Sequence, residues 1–391
     1  MKFASRISRI SISQTMAVNE KALQMRAQGV DIVDFGAGEP DFPTPDNIKQ
    51  AAVRAIESNF TRYTSIGGTP ELRKAIVDSH ARLFGSSYEV AECLVNVGGK
   101  HSIFNTVSAV VDDGDDVIIP TPYWVSFADI ARYAGGRTVF AETSEAEGFR
   151  LTAKLLEKSL SPKTRLLIAN SPSNPSGAVI DDEEFVRIAE LCREHGIILL
   201  SDECYSRFLY DGLKPFSLGS YPEFKDTVVV CGSLSKTYAM TGWRIGYVLG
   251  SKDVIAAVQK IQSHSTSNPP SISQKAAFEA LTGPQDSVAM MLAEYARRRD
   301  FVVKGLNAIP GIHCTNPGGA FYAYPNISSS FKRGIKDSLD FSVQLLEKAH
   351  VAVVPGSAFG TTEHIRISYA TSIEQLDRGV KRIGDFMLGL A

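Results

Sequence analysis

The sequence predicts an α/β protein with a mainly parallel, seven-stranded sheet in a large domain, joined to a smaller α+β domain. Seven short apolar runs alternate with longer amphipathic segments through the middle of the chain. Most of these runs are apolar throughout, as strands covered on both faces must be. The alternation then breaks near "LTGPQD" at 281–286.

Taken in order, the runs are "CLVNV" at 93–97, "DVIIP" at 116–120, "RTVFAE" at 137–142, "RLLIANS" at 165–171, "GIILLSDE" at 196–203, "TVVVCGS" at 227–233 and "RIGYVLGS" at 244–251. Between two of them, "DDEEFVRIAELCREHG" at 181–196 has acidic residues in its first turn, apolar residues at helical spacing and a Gly past its end. Strand, helix, strand repeated in this way gives a parallel sheet layered with helices. Past the break, "AEYARRRDFVVKGLNAI" reads as a long charged helix. Strands follow near 320 and 351, and "EHIRISYA" at 363–370 alternates like a half-exposed strand. The expected division is a large domain at about 47–286 and a small one built from residues 1–46 together with 287–391.

Composition narrows the function. Of 391 residues, 41 are Lys or Arg and 43 are Asp or Glu, for a formal net charge of −2. The basic residues are scattered, so neither nucleic acid nor an anionic membrane is an expected partner, and small molecules are. Five widely spaced cysteines, with no CxxC and no metal-ligand spacing, suit a reducing cytosol and no bound metal. The N-terminus lacks an apolar signal core, and no stretch reaches the ~18 apolar residues of a spanning helix, so a cytoplasmic protein is expected.

In open α/β sheets, ligands bind beyond the carboxyl ends of the strands. Polar residues stand at those ends here: Gly98, Gly99 and Lys100, then Asn174, Asp202, and Ser233 to Lys236. Two nucleotide readings fail. "FGAGEPD" has Asp41 in place of the third glycine and Pro40 where a helix would begin, and "VGGKH" lacks the leading glycine and the Ser or Thr of a phosphate loop.

Lys236 closes a strand inside the expected crevice, where poor solvation lowers an amine's pKa and frees it for Schiff-base chemistry. A lone lysine would as readily be a solvated surface residue. Its setting, "SLSKTYAMTGWRIGY" at 233–247, resembles the pyridoxal-phosphate attachment motif of class I/II aminotransferases. "GEPDFPTP", "RYTSIGGTPELRKAI", "NVGGKHSIFN", "PTPYWVSFADIARYAGG", "NSPSNPSGAVI", "LLSDECYSRFLYDG" and "HIRISYATS" follow the blocks of bacterial aspartate aminotransferases of the 1-beta subgroup in the same order. The resemblance implies fold type I, pyridoxal 5'-phosphate as cofactor, and a homodimer with shared active sites.

It also implies roles, each beside a plainer one. Asp202 would pair with the pyridine nitrogen, or cap a turn. Asn174 and Tyr205 would hydrogen-bond the phenolic oxygen, and Trp124 would stack on the ring; a loop Asn and packed aromatics are the alternatives. The backbone of Gly99, Lys100 and His101 at a helix start would hold the phosphate together with Ser233, Ser235 and Arg244. Tyr63 would reach it from the other subunit. Arg366 would grip the substrate α-carboxylate by its planar fork, with the backbone of Gly38 close by; a solvent-facing strand Arg is the alternative. Lys100 and Thr15 match residues that recognise a distal carboxylate. Lys236 would anchor the cofactor and shuttle the proton.

Transamination between aspartate, or another dicarboxylic amino acid, and 2-oxoglutarate is the function expected. A broader range including prephenate or aromatic substrates, or a lyase reaction on the same scaffold, is the alternative. His264, in the loop where other branches place a partner arginine, and His101, where Gln is commonest, mark departures from the family pattern. A regulator with a DNA-binding domain is not expected, because the first matching block begins within the first few dozen residues.

Overall fold

The computed structural model describes residues 3–10, 14–332 and 334–390, the side chains of 14–19 excepted. Each of the seven apolar runs forms a strand, and the seven make one sheet. Its order is Cys93–Asn96, Gly246–Leu249, Val228–Ser233, Ile198–Asp202, Thr164–Asn170, Asp116–Thr121 and Arg137–Glu142. Gly246–Leu249 runs antiparallel to both neighbours. The pairings among the five strands from Arg137–Glu142 to Val228–Ser233 are parallel.

Continuous apolar runs follow from burial on both faces. Successive strand residues point to opposite sides of a sheet. In Thr164–Asn170, Leu166 and Ile168 therefore join one core with Val117 and Leu200, while Leu167 and Ala169 join the opposite core with Ile118 and Leu199. Each fully buried aliphatic side chain there contributes roughly 1.5–3 kcal/mol.

Helices cover the faces and end where their sequences say. Asp182–Glu194 opens with three acidic residues, and Gly196 beyond it takes a left-handed φ of 65°. Pro70–Phe84 begins with the Thr69 side chain accepting from the Leu72 amide and stops at Gly85, whose φ is 77°. The long charged helix is Asp286–Asn307.

A further core gathers Val33 and Phe35 from the N-terminal segment with Phe321, Phe341, Ile365 and Ile367 from the C-terminal third. Val33–Asp34 pairs in parallel with Val351–Ala352. Ile365–Ser368 lies antiparallel between Val354–Pro355 and Tyr322–Ala323. This last strand departs from expectation: it is buried along its whole length, with Arg366 6% and Ser368 2% exposed. The alternation in "HIRIS" is real, but its polar face is buried: Arg366 lines a cleft at the end of the large sheet, and His364 Nε2 lies 3.2 Å from Glu145 Oε2. Among the described residues no helix is long and apolar enough to cross a membrane.

Candidate active site

A cleft of about 240 Å³ opens at the carboxyl ends of the central strands. One wall is the start of helix Gly99–Val110, contributing Gly99 and Lys100, with Trp124 beside it. Asn174, Asp202 and Tyr205 enter from the next two strand ends. Ser233, Ser235, Lys236 and Arg244 come from the segment joining the two strands that follow, and Gly38 and Arg366 complete the lining.

The helix start is shaped for an anion. Among the described residues, nothing accepts a hydrogen bond from the Gly99 or Lys100 amide, and such free amides at a helix N-terminus attract negative charge. Gly98, at φ 86°, gives the chain its turn into the helix, and a Cβ there would stand 2.4 Å from Arg244 Nη2. Glycine is therefore needed both for the turn and for the guanidinium lying against it. Arg244 itself sits in the left-handed region at φ 56° and donates to the Thr241 carbonyl at 2.8 Å. Ser233 Oγ accepts from the Ser235 amide at 3.1 Å.

Asp202 is 7% exposed, and its Oδ1 accepts one hydrogen bond, from the Cys204 amide at 3.1 Å. Both sequence readings thus meet in this residue: one oxygen caps a turn while the carboxyl still lines the cleft. Burial pushes its pKa up to about 7, against the Cys204 amide and with the help of neighbouring Glu203. The folded protein then keeps this proton up to about pH 7, whereas the unfolded chain releases it near 4. Stability due to the protonated form is full below about pH 4 and lost as the pH rises through 7, by roughly 4 kcal/mol. Ligand-free wild type should consequently lose thermal stability between pH 5 and 8 relative to Asp202→Asn. Parallel melting curves for the two proteins would show that no such charge is being buried.

Lys236 is half-buried, and its Nζ donates to the Gly38 carbonyl at 2.5 Å. Burial lowers its pKa; the Cys204 thiol and the Glu39 carboxylate pull the other way. Tyr205 Oη lies 2.8 Å from Tyr322 Oη, and burial raises the Tyr205 phenol far above its ordinary range. Lys100 Nζ rests 4.9 Å from the centre of the Trp124 ring. Its pKa is lowered by partial burial and then by Arg244.

Arg366 donates from Nη1 to Asn174 Oδ1 at 3.0 Å and from Nη2 to the Gly36 carbonyl at 2.8 Å. Its guanidinium lies 4.5 Å from the Tyr322 ring centre. Nε is buried without a partner among the described residues, so this fork still has a donor to give.

Two expected residues stand apart from this cleft. The His101 ring turns back on its own helix, with Nδ1 accepting from the Val97 amide at 3.3 Å and Nε2 3.2 Å from Asn105 Nδ2, while its amide donates to the Gly98 carbonyl. Tyr63 projects from a loop with 91% of its surface exposed. The Thr15 side chain lies outside the described residues. His264 caps the end of helix Lys252–Ser263 and is exposed. A broad groove of about 980 Å³ adjoins the cleft, sharing Lys100 and Arg244 with it and including His101, Tyr123 and Arg132.

Asn170, Cys204 and Tyr322 line the cleft without having been picked out from sequence. Asn170 could have been found as a polar residue closing an apolar strand. It braces the floor, its Nδ2 donating to the Asp202 carbonyl at 3.0 Å and its Oδ1 accepting from the Asn174 amide at 2.8 Å. Tyr322 carries no such signal, because only the tertiary fold brings "AFYAYP" to this place.

Residues 30–383 match the family described as aminotransferase class I and II. The chain is 43% identical to an aspartate aminotransferase of Geobacillus stearothermophilus, over 99% of each chain. It is 44% identical to an aspartate/prephenate aminotransferase of Nitrosomonas europaea, over 99% of this chain and 100% of that one. The crystal structure of the aspartate aminotransferase from Rhizobium meliloti superposes with a TM-score of 0.95 at 44% identity, covering 99% of both chains. A match spanning the sheet, the lysine segment and the strand of Arg366 leaves no part of the cleft outside it: the chain belongs to the class I and II aminotransferases.

Proposed function

We propose that this aminotransferase exchanges the amino group of aspartate, or of another dicarboxylic amino acid, with 2-oxoglutarate, using pyridoxal 5'-phosphate. The observation that carries the reading is the convergence of Lys236, Asp202 and Arg366 on one cleft. Near-full-length relatives named aspartate aminotransferase support the substrate.

The residues present suit the cofactor. Free amides at Gly99 and Lys100, the Ser233 and Ser235 hydroxyls and Arg244 offer donors and positive charge for a phosphate. Asp202 offers a buried carboxyl with a single donor, ready for a protonated ring nitrogen, which in exchange would hold it ionised. Tyr205 and Asn174 would hold the phenolic oxygen, and Trp124 the ring face. When bound, the cofactor supplies an electron sink for the bond broken at the substrate Cα.

The chain's own groups do the rest. Lys236 Nζ would hold the cofactor covalently, release it to the incoming amine, and then carry the proton between the substrate Cα and the cofactor carbon. Arg366 would fix the α-carboxylate beside the Gly38 backbone. Lys100 and Thr15 would meet the distal carboxylate, a role that the position of Lys100 on the cleft wall supports. His101, with its amide already donating to the Gly98 carbonyl and its ring engaged at Val97 and Asn105, would leave the phosphate to the Gly99 and Lys100 amides. Tyr63 would serve the neighbouring active site in a cytoplasmic homodimer, which gives an aromatic ring left 91% exposed in one chain a place to go. The division into a large domain at about 47–286 and a small one from both termini belongs to the same reading.

A second reading, activity on prephenate as well, is favoured by the Nitrosomonas relative and by the groove beside Lys100. Purified enzyme given aspartate and 2-oxoglutarate should form glutamate and oxaloacetate; alanine and carbon dioxide without glutamate would mean a lyase. Supplying glutamate with prephenate tests the wider range. If phenylalanine is a donor and aspartate is not, the role given to Lys100 is wrong.

A further inference from the structure

Behind the cleft lies a buried polar pair for which the proposed mechanism has no use. Glu203 follows Asp202 directly, and its side chain enters the protein on the far side of the strand end. Its Oε1 accepts from Ser217 Oγ at 2.7 Å and Ser201 Oγ at 3.1 Å. Its Oε2 stands 3.7 Å from His80 Nε2, with the two side chains 4% and 1% exposed. His80 Nδ1 lies 2.7 Å from Ser86 Oγ, whereas Nε2 has no partner among the described residues. Both residues line a cavity of about 30 Å³ that reaches Ser233 and Leu234 beneath the lysine segment. A water needs only about 10–15 Å³ and polar partners, and this space has both.

A buried polar network is costly unless it is satisfied. This one commits two hydroxyls and a histidine to a carboxylate one residue from the group that faces the cleft. The groups turned toward Glu203 are His80 from helix Pro70–Phe84, Tyr88 from the loop after it, Tyr247 from strand Gly246–Leu249, Arg207 across the cavity, and Asp202 along the chain. Burial, and then the Glu203 carboxylate, raise the phenols of Tyr88 and Tyr247. Negative charge placed behind Asp202 favours protons in front of it.

We propose that Glu203 is a positioning residue for the reaction: held by Ser201 and Ser217 and faced by His80 at 3.7 Å beside a water-sized cavity, it supplies a fixed charge behind Asp202 that keeps the cofactor's ring nitrogen protonated. The proposal rests on the pyridoxal-phosphate reading of the cleft. His80 acts through Glu203, its Nε2 standing 3.7 Å from the outer oxygen.

The test compares cofactor-loaded wild type with Glu203→Gln, Glu203→Asp and His80→Phe, following the ring-nitrogen chemical shift of 15N-labelled bound cofactor from pH 5 to 10. Pyridoxal phosphate affinity of the stripped proteins is measured alongside. In Glu203→Gln the midpoint should fall by about one pH unit, the size expected for loss of a neighbouring buried charge, with affinity reduced about tenfold. Glu203→Asp should restore most of both, and His80→Phe should move the midpoint the same way by less. A merely structural role would lower melting temperature and leave the midpoint in place, and that result overturns the proposal. If Glu203→Gln does not fold, His80→Phe and Ser217→Ala are read instead, and wild-type midpoints in both overturn it equally. Wild type that takes up no pyridoxal phosphate sinks the reading of the cleft, an outcome distinct from a midpoint that fails to move.

Discussion

Lys236→Ala should retain pyridoxal phosphate without a covalent link and turn over about 10²–10⁴-fold more slowly than wild type, the range that a positioned proton carrier supplies. The size of the effect follows from what else the cleft holds. Burial pushes the Cys204 thiol up to about 12, and it raises the Tyr205 and Tyr322 phenols as well. None of these gives up a proton readily near neutrality. Lys100 is the other amine on the cleft wall, but it is drawn over the Trp124 ring, 4.9 Å from its centre. The Lys236 amine, by contrast, reaches across to the Gly38 carbonyl, spanning the space where the reacting carbon would sit. Its lowered pKa increases the fraction present as free base. Stopped-flow conversion of the bound cofactor by aspartate measures the step directly, and gel filtration followed by absorbance shows that cofactor is still held. A small primary amine added to the assay should restore part of the rate, because the truncated side chain leaves room for it. Turnover within tenfold of wild type would remove Lys236 from the proton transfer.

The fold was legible where burial leaves a linear trace. Strands covered on both faces must be apolar at every position, so "RLLIAN" and "IILLSD" declare themselves, and the polar residue closing each run marks the cleft. Strand direction leaves no such trace. Gly246–Leu249 is as apolar as its parallel neighbours, yet it runs against both of them. Individual side-chain directions are hidden for a related reason. His101 stands at the helix start, as its place in "VGGKH" implies, but local partners capture its ring, the Val97 amide donating to Nδ1 and Asn105 Nδ2 lying 3.2 Å from Nε2. Arg366 alternates with isoleucines as an exposed strand residue would, and only the packing of that strand onto the cleft reveals that its polar face is buried. Tyr322 meets Tyr205 across 117 positions of sequence, a contact that no local pattern could announce. Glu203 is written beside Asp202 in plain view. Its meaning comes from His80, Ser201 and Ser217, of which only Ser201 is near in sequence.

Arg366→Lys should reduce kcat/KM for both amino acid and oxo acid by about 10²–10³-fold, chiefly through KM, while leaving cofactor absorbance unchanged. Arg366 is already fixed before substrate arrives: Asn174 and the Gly36 carbonyl each take one Nη, and the Tyr322 and Phe359 rings lie 4.5 and 5.2 Å from its guanidinium carbon. What remains for a ligand is the unpartnered Nε and the unused Nη hydrogens, a planar edge matched to the two oxygens of a carboxylate. Lysine keeps the charge but offers one point in place of the fork, and it leaves Asn174 and Gly36 short of a donor. One lost hydrogen bond to a charged group costs about 1.5–3 kcal/mol and an unsatisfied buried acceptor about 1–3 more, together about 2.5–6 kcal/mol, the lower half of which is the factor stated. The α-carboxylate does not change charge as the proton leaves Cα. Ground and transition states therefore lose the same contact, and KM takes most of the loss. A dicarboxylate inhibitor should weaken in step with substrate, whereas a primary amine lacking the α-carboxylate should react equally poorly with both proteins. If KM stays within threefold of wild type, or if pyridoxal phosphate affinity falls in parallel with it, Arg366 holds the cleft together and does not hold the substrate.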